Sequence, residues 1–206
     1  INLSDTGILS RNIILGLRTA ILITLLFKKD GKYLDYAGGY GILTRFMRDL
    51  GIDFYWKDPY TENLVARGFE QKEKKYDGLT IFEGFEHFQN PLKEIDTLLK
   101  TSDTIILSTT LVPKPTPKPN NWWYYSFDHG QHIALYSKET FEYIATRYKL
   151  NYYTDGKHYH ILTKKLVPKI LVKILLSPIL LLLTPLIFIL NKSKTIEDSR
   201  KLAKKN

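Results

Sequence analysis

The stretch Lys32-Tyr33-Leu34-Asp35-Tyr36-Ala37-Gly38-Gly39-Tyr40-Gly41 decides how the rest of the chain is interpreted. A short apolar run ends at an acid, a loop of small residues follows, and Ile42 to Leu50 has the apolar spacing of a helix. The pattern predicts a strand, a tight loop and a helix. Backbone N–H groups of such a loop, with a helix amino terminus behind them, bind polar or anionic ligand groups.

A second acid, Asp58, closes the next apolar run, Phe54-Tyr55-Trp56. At this point of a βαβ unit, an acidic side chain can hold the hydroxyl groups of a ribose. The residues therefore predict a cofactor that contains a nucleoside. A tight turn without a ligand is the alternative.

The net charge of +9 is concentrated near the carboxyl end. Residues 164–206 contain ten Lys and Arg and two acids, which leaves 20 of the 30 basic and 19 of the 21 acidic residues for the rest. A nucleic-acid-binding surface lies on the folded domain, so the nearly neutral body argues against a nucleic-acid partner. Cysteine is absent, which excludes a disulfide framework and thiolate chemistry.

Predicted strands and helices alternate along the body of the chain. The helices are expected over Ser10–Phe27, Ile42–Leu50, Pro91–Lys100 and Lys138–Tyr148, the last with Ser137 as its N-cap. The strands are expected over 33–36, 53–57, 78–82, 104–110, 151–154 and 158–163, and Asp155-Gly156 predicts a type I′ hairpin between the last two. Such alternation is typical of an α/β fold with a doubly wound, mostly parallel sheet, here with an antiparallel carboxyl-terminal hairpin.

Acids and an imidazole follow the third predicted strand, in Phe82-Glu83-Gly84-Phe85-Glu86-His87. If a helical turn begins there, Glu83 and Glu86 share one face and His87 lies beside them. Two carboxylates and a histidine suit a divalent cation, and they equally suit a general base. A capped turn with solvated acids is the alternative.

A long loop, Leu111 to Gly130, leaves the carboxyl end of the fourth predicted strand. It carries four spaced prolines, the cluster Trp122-Trp123-Tyr124-Tyr125, and then Asp128-His129-Gly130-Gln131-His132. Ligands of open α/β sheets bind at this edge, so the loop is predicted to be a substrate lid. The alternative is that its aromatic side chains fill the core.

The order of these pieces resembles a class I S-adenosylmethionine-dependent methyltransferase of the group that carries a Glu-x-x-Glu-His-x-x-x-x-Pro segment. Leu34 to Gly41 resembles the first motif, Asp58 the ribose-binding acid, and Glu83 to Pro91 the segment after a strand end. Gly130 to Ser137 resembles the late segment in which a His precedes an aromatic residue and a Ser. The resemblance covers residues 28–163 and implies a Rossmann-like, seven-stranded sheet.

The resemblance implies S-adenosylmethionine as the cofactor. The implied cofactor-binding residues are Asp35, Ala37, Gly38, Gly39, Gly41, Asp58, Phe82 and Glu83. Ala37 replaces the first glycine of the motif, so we expect the turn to avoid positive φ there. Phe69 and Glu70 are candidates for contact with the adenine.

The family transfers a methyl group to a nucleophile, and a hydroxyl acceptor benefits from a base because the free alcohol reacts poorly. The candidates for the catalytic residues are His132, His87, Glu86 and His129. Some relatives bind a divalent cation, which implies a possible Mg or Mn site of Glu83, Glu86, His87 and His132. The predicted substrate-contacting residues are Trp122, Trp123, Tyr124 and Tyr125.

The tail contains an uncharged run, Ile174 to Asn191, with lysines on both sides. We expect three parts: an N-terminal helix covering the sheet (1–27), the methyltransferase domain (28–163), and an apolar helical, membrane-associating tail (164–206). Basic flanks favour a segment that lies in one leaflet, through residues 166–191, over a single span or a subunit contact. This indicates a cytoplasmic enzyme, peripheral or monotopic at the inner face of the membrane.

The sequence says least about the methyl acceptor. Resemblance to enzymes of bacterial surface-polysaccharide assembly points to a hydroxyl of a saccharide or lipid-linked saccharide. Methylation of a small aromatic compound or quinone lipid, and a non-catalytic membrane-associated scaffold, are the alternatives. The oligomeric state is left open.

Overall fold

A computed structural model describes residues 6–128 and 131–204, except for the side chains of 178–180. Its described residues form one mixed sheet in the order β2-β1-β3-β4-β6-β5. The strands are β1 (Lys32–Tyr36), β2 (Asp53–Lys57), β3 (Gly78–Phe82), β4 (Thr104–Ser108), β5 (Asn151–Thr154) and β6 (Tyr159–Thr163). The first four pair in parallel, and β6 pairs antiparallel with β4 and β5. The predicted doubly wound, mostly parallel architecture is confirmed.

The predicted seventh strand is wrong for the described residues, which contain six. A single parallel bridge joins Trp56 to Glu70 at the open edge of β2. There the N–H of Trp56 donates to the Phe69 carbonyl, and the N–H of Gln71 donates to the Trp56 carbonyl. The stretch between Asp58 and Gly78 has no full crossover helix, so it provides one bridge instead of a strand.

The helices lie on both faces of this sheet. They are α1 (Ile8–Leu26), α2 (Ile42–Asp49), α3 (Pro91–Thr101), α4 (Lys138–Tyr148), α5 (Lys169–Leu175), α6 (Thr184–Leu190) and α7 (Thr195–Ala203). Side chains alternate between the two faces along a strand, so Ile106 of β4 packs with α1, α2 and the tail, whereas Ile105 and Leu107 pack with α3 and α4. Each face of the sheet therefore has its own apolar core.

Local sequence signals place the helices of the second face correctly. Pro91 is the first residue of α3 behind the Asn90 cap, and Ser137 caps α4. The antiparallel hairpin is confirmed, but the predicted two-residue type I′ turn is wrong. Four residues, 155–158, join β5 to β6, because the Asp155 carboxylate accepts from the N–H groups of Lys157, His158 and Tyr159.

The tail folds back on the first face of the sheet. Its apolar run is divided into α5, a 3₁₀ turn (Pro178–Leu183) and α6, and both the turn and α6 pack against α1. Among the described residues, α1 alone is long and apolar enough to cross a bilayer, and a third of that stretch is buried. The carboxyl half of α1 is part of the core, since Ala20, Ile21, Leu22 and Ile23 are buried.

Candidate active site

A cavity of about 1150 Å³ lies where the loops after β1 and β3 diverge. β1 is flanked by β2 on one side and β3 on the other, so the strand order reverses there and opens a crevice at the carboxyl ends. Ala37, from the β1 loop, and Gly84, from the β3 loop, approach closely: a Cβ on Gly84 would lie 3.7 Å from the Ala37 Cβ. Of the predicted cofactor residues, Gly41 alone is not at the cavity wall; Asp35, Ala37, Gly38, Gly39, Asp58, Phe82 and Glu83 line it.

The β1 loop alternates between left-handed and other backbone conformations. Ala37 has φ 63°, Gly39 φ 52° and Gly41 φ 86°. The expectation that the turn avoids positive φ at Ala37 is therefore wrong. The N–H of Gly38 donates to the Lys57 carbonyl, and the following N–H donates to Asp58, so the neighbouring strand fixes the loop path despite the cost at a residue with a Cβ.

Gly38 is required by close packing rather than by φ. A Cβ there would lie 2.7 Å from Cδ1 of Trp56 and 2.9 Å from Oδ2 of Asp35. Trp56 also donates its indole N–H to the Gly39 carbonyl at 2.8 Å. Trp56, which the sequence predicts only as a strand residue, therefore also supports the loop.

Two acids lie beneath and beside the loop. Asp35 is buried and accepts from the hydroxyls of Thr80 and Thr44, and burial raises its pKa to about 7. The half-buried Asp58 accepts from the N–H groups of Gly39, Tyr60 and Thr61. Each carboxylate oxygen has two lone pairs, and three of the four accept these N–H groups, so Oδ2 of Asp58 can still accept from one ribose hydroxyl.

The opposite wall comes from the 3₁₀ turns Phe85–His87 and Trp123–Tyr125 and from His132. Glu86 is fully buried, and its Oε1 accepts from the Tyr124 hydroxyl at 2.8 Å. Burial raises the Glu86 pKa to about 7, and the charge of Glu83 adds to the increase. Its Oε2 is buried with no hydrogen-bond partner among the described residues. A bound ligand can satisfy a buried carboxylate oxygen of this kind.

His87 and His132 have the same orientation towards the backbone. Nδ1 of His87 lies 2.8 Å from the Gln131 carbonyl oxygen, and Nδ1 of His132 lies 2.7 Å from that of Tyr124. A carbonyl only accepts, so each neutral ring carries its proton on Nδ1 and its basic lone pair on Nε2. In each neutral ring, Nε2 is therefore the nitrogen that can accept a proton or bind a cation.

Three of the four predicted metal ligands come together. One ligand atom from each of Glu86, His87 and His132 lies within 4.8 Å of the others. Glu83 does not join them, because it precedes the 3₁₀ turn with φ 51° and its carboxylate accepts from the Ser108 hydroxyl at 2.6 Å. The expected shared face of Glu83 and Glu86 is therefore not formed, and the group that fits a divalent cation is two imidazoles and one carboxylate.

The four predicted substrate aromatics separate into two groups. Trp123 and Tyr124 line the cavity, whereas Trp122 lines a second hollow of about 450 Å³ beside the proline-rich loop. The Tyr125 hydroxyl donates to the Pro117 carbonyl, and its ring stacks on Phe127. Tyr125 thus supports the loop rather than lining the cavity.

Other positions need correction or addition. Phe69 and Glu70 do not line the cavity; Phe69 is buried under the Arg48 guanidinium at 3.8 Å, and Glu70 accepts from Asn63 and Gly68. His129 lies outside the described residues. Sequence reasoning missed a contribution from α1. Its cavity-lining residues are Ile8, Arg11, Asn12 and Leu15, whose helical spacing was the available signal.

The fold and this cavity define a Rossmann-like enzyme of the class that binds a nucleoside cofactor at the switch point of the sheet. A family model described as a methyltransferase domain matches residues 13–154. The chain therefore belongs to this family of class I methyltransferases, which use S-adenosylmethionine. No curated protein matches the sequence.

Solved structures share the fold at low sequence identity. The plantazolicin methyltransferase BpumL, crystallised with S-adenosylhomocysteine, has a TM-score of 0.57 at 14% identity, over 78% of this chain and 86% of that one. An O-methyltransferase family 2 protein from Planctomyces limnophilus, in complex with apigenin, has a TM-score of 0.50 at 14% identity, over 79% of this chain. The matched region spans 63% of the Planctomyces protein.

Proposed function

We propose that the chain transfers the methyl group of S-adenosylmethionine to a hydroxyl group of a saccharide or lipid-linked saccharide. The observation that carries this proposal is the histidine pair. His87 and His132 line the same cavity as the cofactor loop, and their Nδ1 contacts leave Nε2 as the basic atom. A methyltransferase that acts on a hydroxyl needs such a base, because a neutral alcohol is a weak nucleophile.

The chemistry is a single displacement. The hydroxyl oxygen forms a bond to the methyl carbon as the carbon–sulfur bond breaks, which leaves S-adenosylhomocysteine and the methylated acceptor. The hydroxyl proton passes to an imidazole Nε2 of the pair. The other contribution is alignment, since the cofactor loop and the aromatic wall hold the two reactants in one cavity.

A divalent cation would be held by Glu86, His87 and His132. Two nitrogen ligands and one carboxylate favour Mn over Mg, which prefers oxygen ligands. The buried Oε2 of Glu86 supports this ligand set. With such a cation, both imidazole Nε2 atoms would be ligands rather than bases, and the cation would instead lower the pKa of the acceptor hydroxyl.

The exposed ring of Trp123 supports a saccharide acceptor. Its side chain is 76% exposed at the cavity edge, where a flat aromatic face can stack on a sugar ring. The same ring would stack on a quinone or another aromatic acceptor, so methylation of an aromatic lipid is the second candidate. Separating the two requires identification of the product.

We propose membrane contact through residues 166–191, as a monotopic segment rather than a span. The start of the tail is held to the sheet, because the Val167 N–H donates to the Tyr153 hydroxyl and that hydroxyl donates to the Val167 carbonyl. The end is tied to the same domain, since Asn191 donates to Thr24 and Asp198 pairs with Arg48. A segment with both ends on one domain is suited to dipping into one leaflet, which supports a monotopic segment rather than a span.

The test is methyl transfer from labelled S-adenosylmethionine to separate glycan, lipid-linked glycan and quinone fractions. We expect label in a glycan or lipid-linked glycan, and loss of transfer by two to four orders of magnitude in His132→Ala. His158→Ala is the matched control. His158 lies outside the cavity, and its Nδ1 is hydrogen-bonded to the Thr110 hydroxyl. If the labelled methyl group were found only on a quinone, or on an amine nitrogen of any product, a saccharide hydroxyl would not be the acceptor.

A second arm adds a chelator and then Mn or Mg. Recovery with Mn in the wild type, and no response in Glu86→Gln, supports the cation site. Full activity after exhaustive chelation would leave the histidines as the base alone.

A further inference from the structure

The amino-terminal half of α1 has two opposite faces. One face lines the cavity with Ile8, Arg11, Asn12 and Leu15. The other carries the exposed apolar side chains Leu9, Ile13 and Ile14. At 100° per residue the two sets point in opposite directions, so this half of α1 is a single-helix wall between the cavity and the outer surface.

The tail adjoins α1 and exposes apolar side chains of its own. α1 packs against both the 3₁₀ turn Pro178–Leu183 and α6. On these elements Leu182 is 76% exposed, Ile189 75% and Phe188 65%. Exposed large apolar side chains on three adjoining elements are of the kind that makes up a membrane-contact or protein-contact patch. We call these side chains together the apolar face.

The two segments that carry the apolar face contain basic residues only, although Arg18 of α1 is paired with Asp155 of the β5–β6 loop. Residues 8–27 and 164–192 contain Lys and Arg but no Asp or Glu. Lys169 and Lys173 are exposed on α5, which contacts the 3₁₀ turn. An anionic bilayer complements both the apolar side chains and this charge, whereas a second copy of the chain would bring two basic rims together.

We propose that the amino-terminal half of α1 lies in the interface of an anionic bilayer together with the tail, so that the acceptor cavity borders the membrane. The cavity is then one helix diameter, about 10 Å, from the lipid. The hydroxyl that is methylated lies on a sugar close to the lipid link, because a distal sugar of a long glycan would project away from this cavity. This assignment of the substrate rests on the proposed function, whereas the membrane contact of α1 does not.

The absence of cysteine makes a direct test possible. Ile13→Cys on the outer face of α1, Phe188→Cys on α6 and Tyr143→Cys on α4 are each labelled with a fluorophore that brightens and shifts to the blue in lipid. Tyr143 is the matched control, since it is 57% exposed on the opposite side of the sheet. The labelled proteins are mixed with vesicles of phosphatidylcholine, with or without phosphatidylglycerol.

We expect a blue shift at positions 13 and 188 with the phosphatidylglycerol vesicles, a weaker one with phosphatidylcholine alone, and none at 143. The double variant Ile13→Asn/Ile14→Asn should lower vesicle partition about tenfold or more, because it removes apolar area from the contact. A shift at 188 without one at 13 would overturn the proposal and leave the tail as the contact. A shift at 13 that follows protein concentration without lipid would overturn it in favour of a second copy.

Calorimetry with S-adenosylhomocysteine separates this inference from the proposed function. Cofactor binding by the Ile13→Asn/Ile14→Asn variant should equal that of the wild type, since both side chains point away from the cavity. Loss of cofactor binding in the wild type, with vesicle binding intact, would contradict the enzyme and spare the membrane contact of α1. Normal cofactor binding with no vesicle contact at position 13 would contradict the membrane contact of α1 and leave the proposed enzyme intact.

Discussion

The helices on the two faces of the sheet begin in different ways. On one face, the Asn90 side chain accepts from the Lys93 N–H at the start of α3, and Ser137 forms a capping box with Thr140 at the start of α4. On the other face, α1, α2, α5, α6 and α7 begin without any side-chain cap. The first pair is specified locally, whereas the second group depends on packing.

The outer surfaces differ in the same sense. α3 and α4 present charged side chains to water, including ion pairs such as Lys138 with Glu142. α1 and the tail present large apolar side chains instead. The difference shows that the helices of one face are specified by local caps and have a charged outer surface, whereas those of the other depend on tertiary contacts and expose apolar side chains.

The largest expected effect on stability comes from removing the buried ion pair that holds α7 against α2. Arg48 donates two hydrogen bonds of 2.7 Å to Asp198, and both side chains are buried. Asp198→Ala leaves Arg48 without its main partner, so we expect a loss of about 3–5 kcal/mol in the free energy of unfolding. Chemical denaturation measures the loss, and proteolysis should begin within the tail.

Glu197→Ala is the matched control for this variant. Glu197 is exposed on the same helix and contacts Lys194 at 4.0 Å, so its removal should change stability by no more than about 0.5 kcal/mol. Equal stability of the two variants would mean that α7 does not dock through Asp198.

A second buried acid on the same face of the sheet, Asp35, should make the free energy of unfolding depend on pH. Burial raises the pKa of Asp35 to about 7 from 3.8. The unfolded chain then ionises at lower pH than the folded protein, so the contribution of Asp35 is greatest below about pH 4. It decreases as pH rises to about 7, by up to about 4 kcal/mol in the cofactor-free protein.

Asp35→Asn is the variant that tests this, because the amide keeps the shape and hydrogen-bonding positions of the carboxyl. The free energy of unfolding of the variant, minus that of the wild type, should increase between pH 4 and 7. A difference that is constant across this interval would show that Asp35 is ionised when folded.

The caps give a smaller effect on the other face. Ser137→Ala and Asn90→Ala should each lower the free energy of unfolding by about 1 kcal/mol, because each leaves a helix N–H without its acceptor. Lys194→Ala is the control, since Lys194 occupies the cap position of α7 without a side-chain cap bond. If all three variants lose the same stability, the contrast between the faces does not come from capping.

The smallest expected effect is at Ala37. Ala37→Gly relieves the positive φ of 63° and should raise the free energy of unfolding by roughly 0.5–1 kcal/mol. Ala145→Gly, within α4, should lower it by about 1 kcal/mol, so the same replacement has opposite signs at the two sites. A destabilised Ala37→Gly variant would mean that the loop does not hold its left-handed turn.

Much of the fold could be predicted from patterns within a few residues. The parallel strands, the helix starts at Pro91 and Lys138, and the small-residue loop before α2 were all predicted in this way. The number of strands was overestimated, because the compact stretch before β3 provides one bridge at Trp56 rather than a strand. The hairpin turn was mistaken because Asp155 organises a longer loop with its carboxylate.

The candidate site was predicted by residue type but not by arrangement. The spacing of Glu83, Glu86 and His87 indicated one face, whereas the positive φ of Glu83 separates it from the other two. His132 joins Glu86 and His87 through contacts that span more than forty residues of sequence. Such partners cannot be chosen from local spacing.

The sequence by itself determined the alternation of strands and helices, the small-residue loop after Asp35, and the basic, apolar tail, since each depends on neighbouring residues. The tertiary structure alone decided that α1 forms a cavity wall and that the tail returns to the sheet. It also decided that a buried carboxylate meets two imidazoles. Those outcomes depend on which buried surfaces and charges find each other across the chain, and periodicity does not encode that choice.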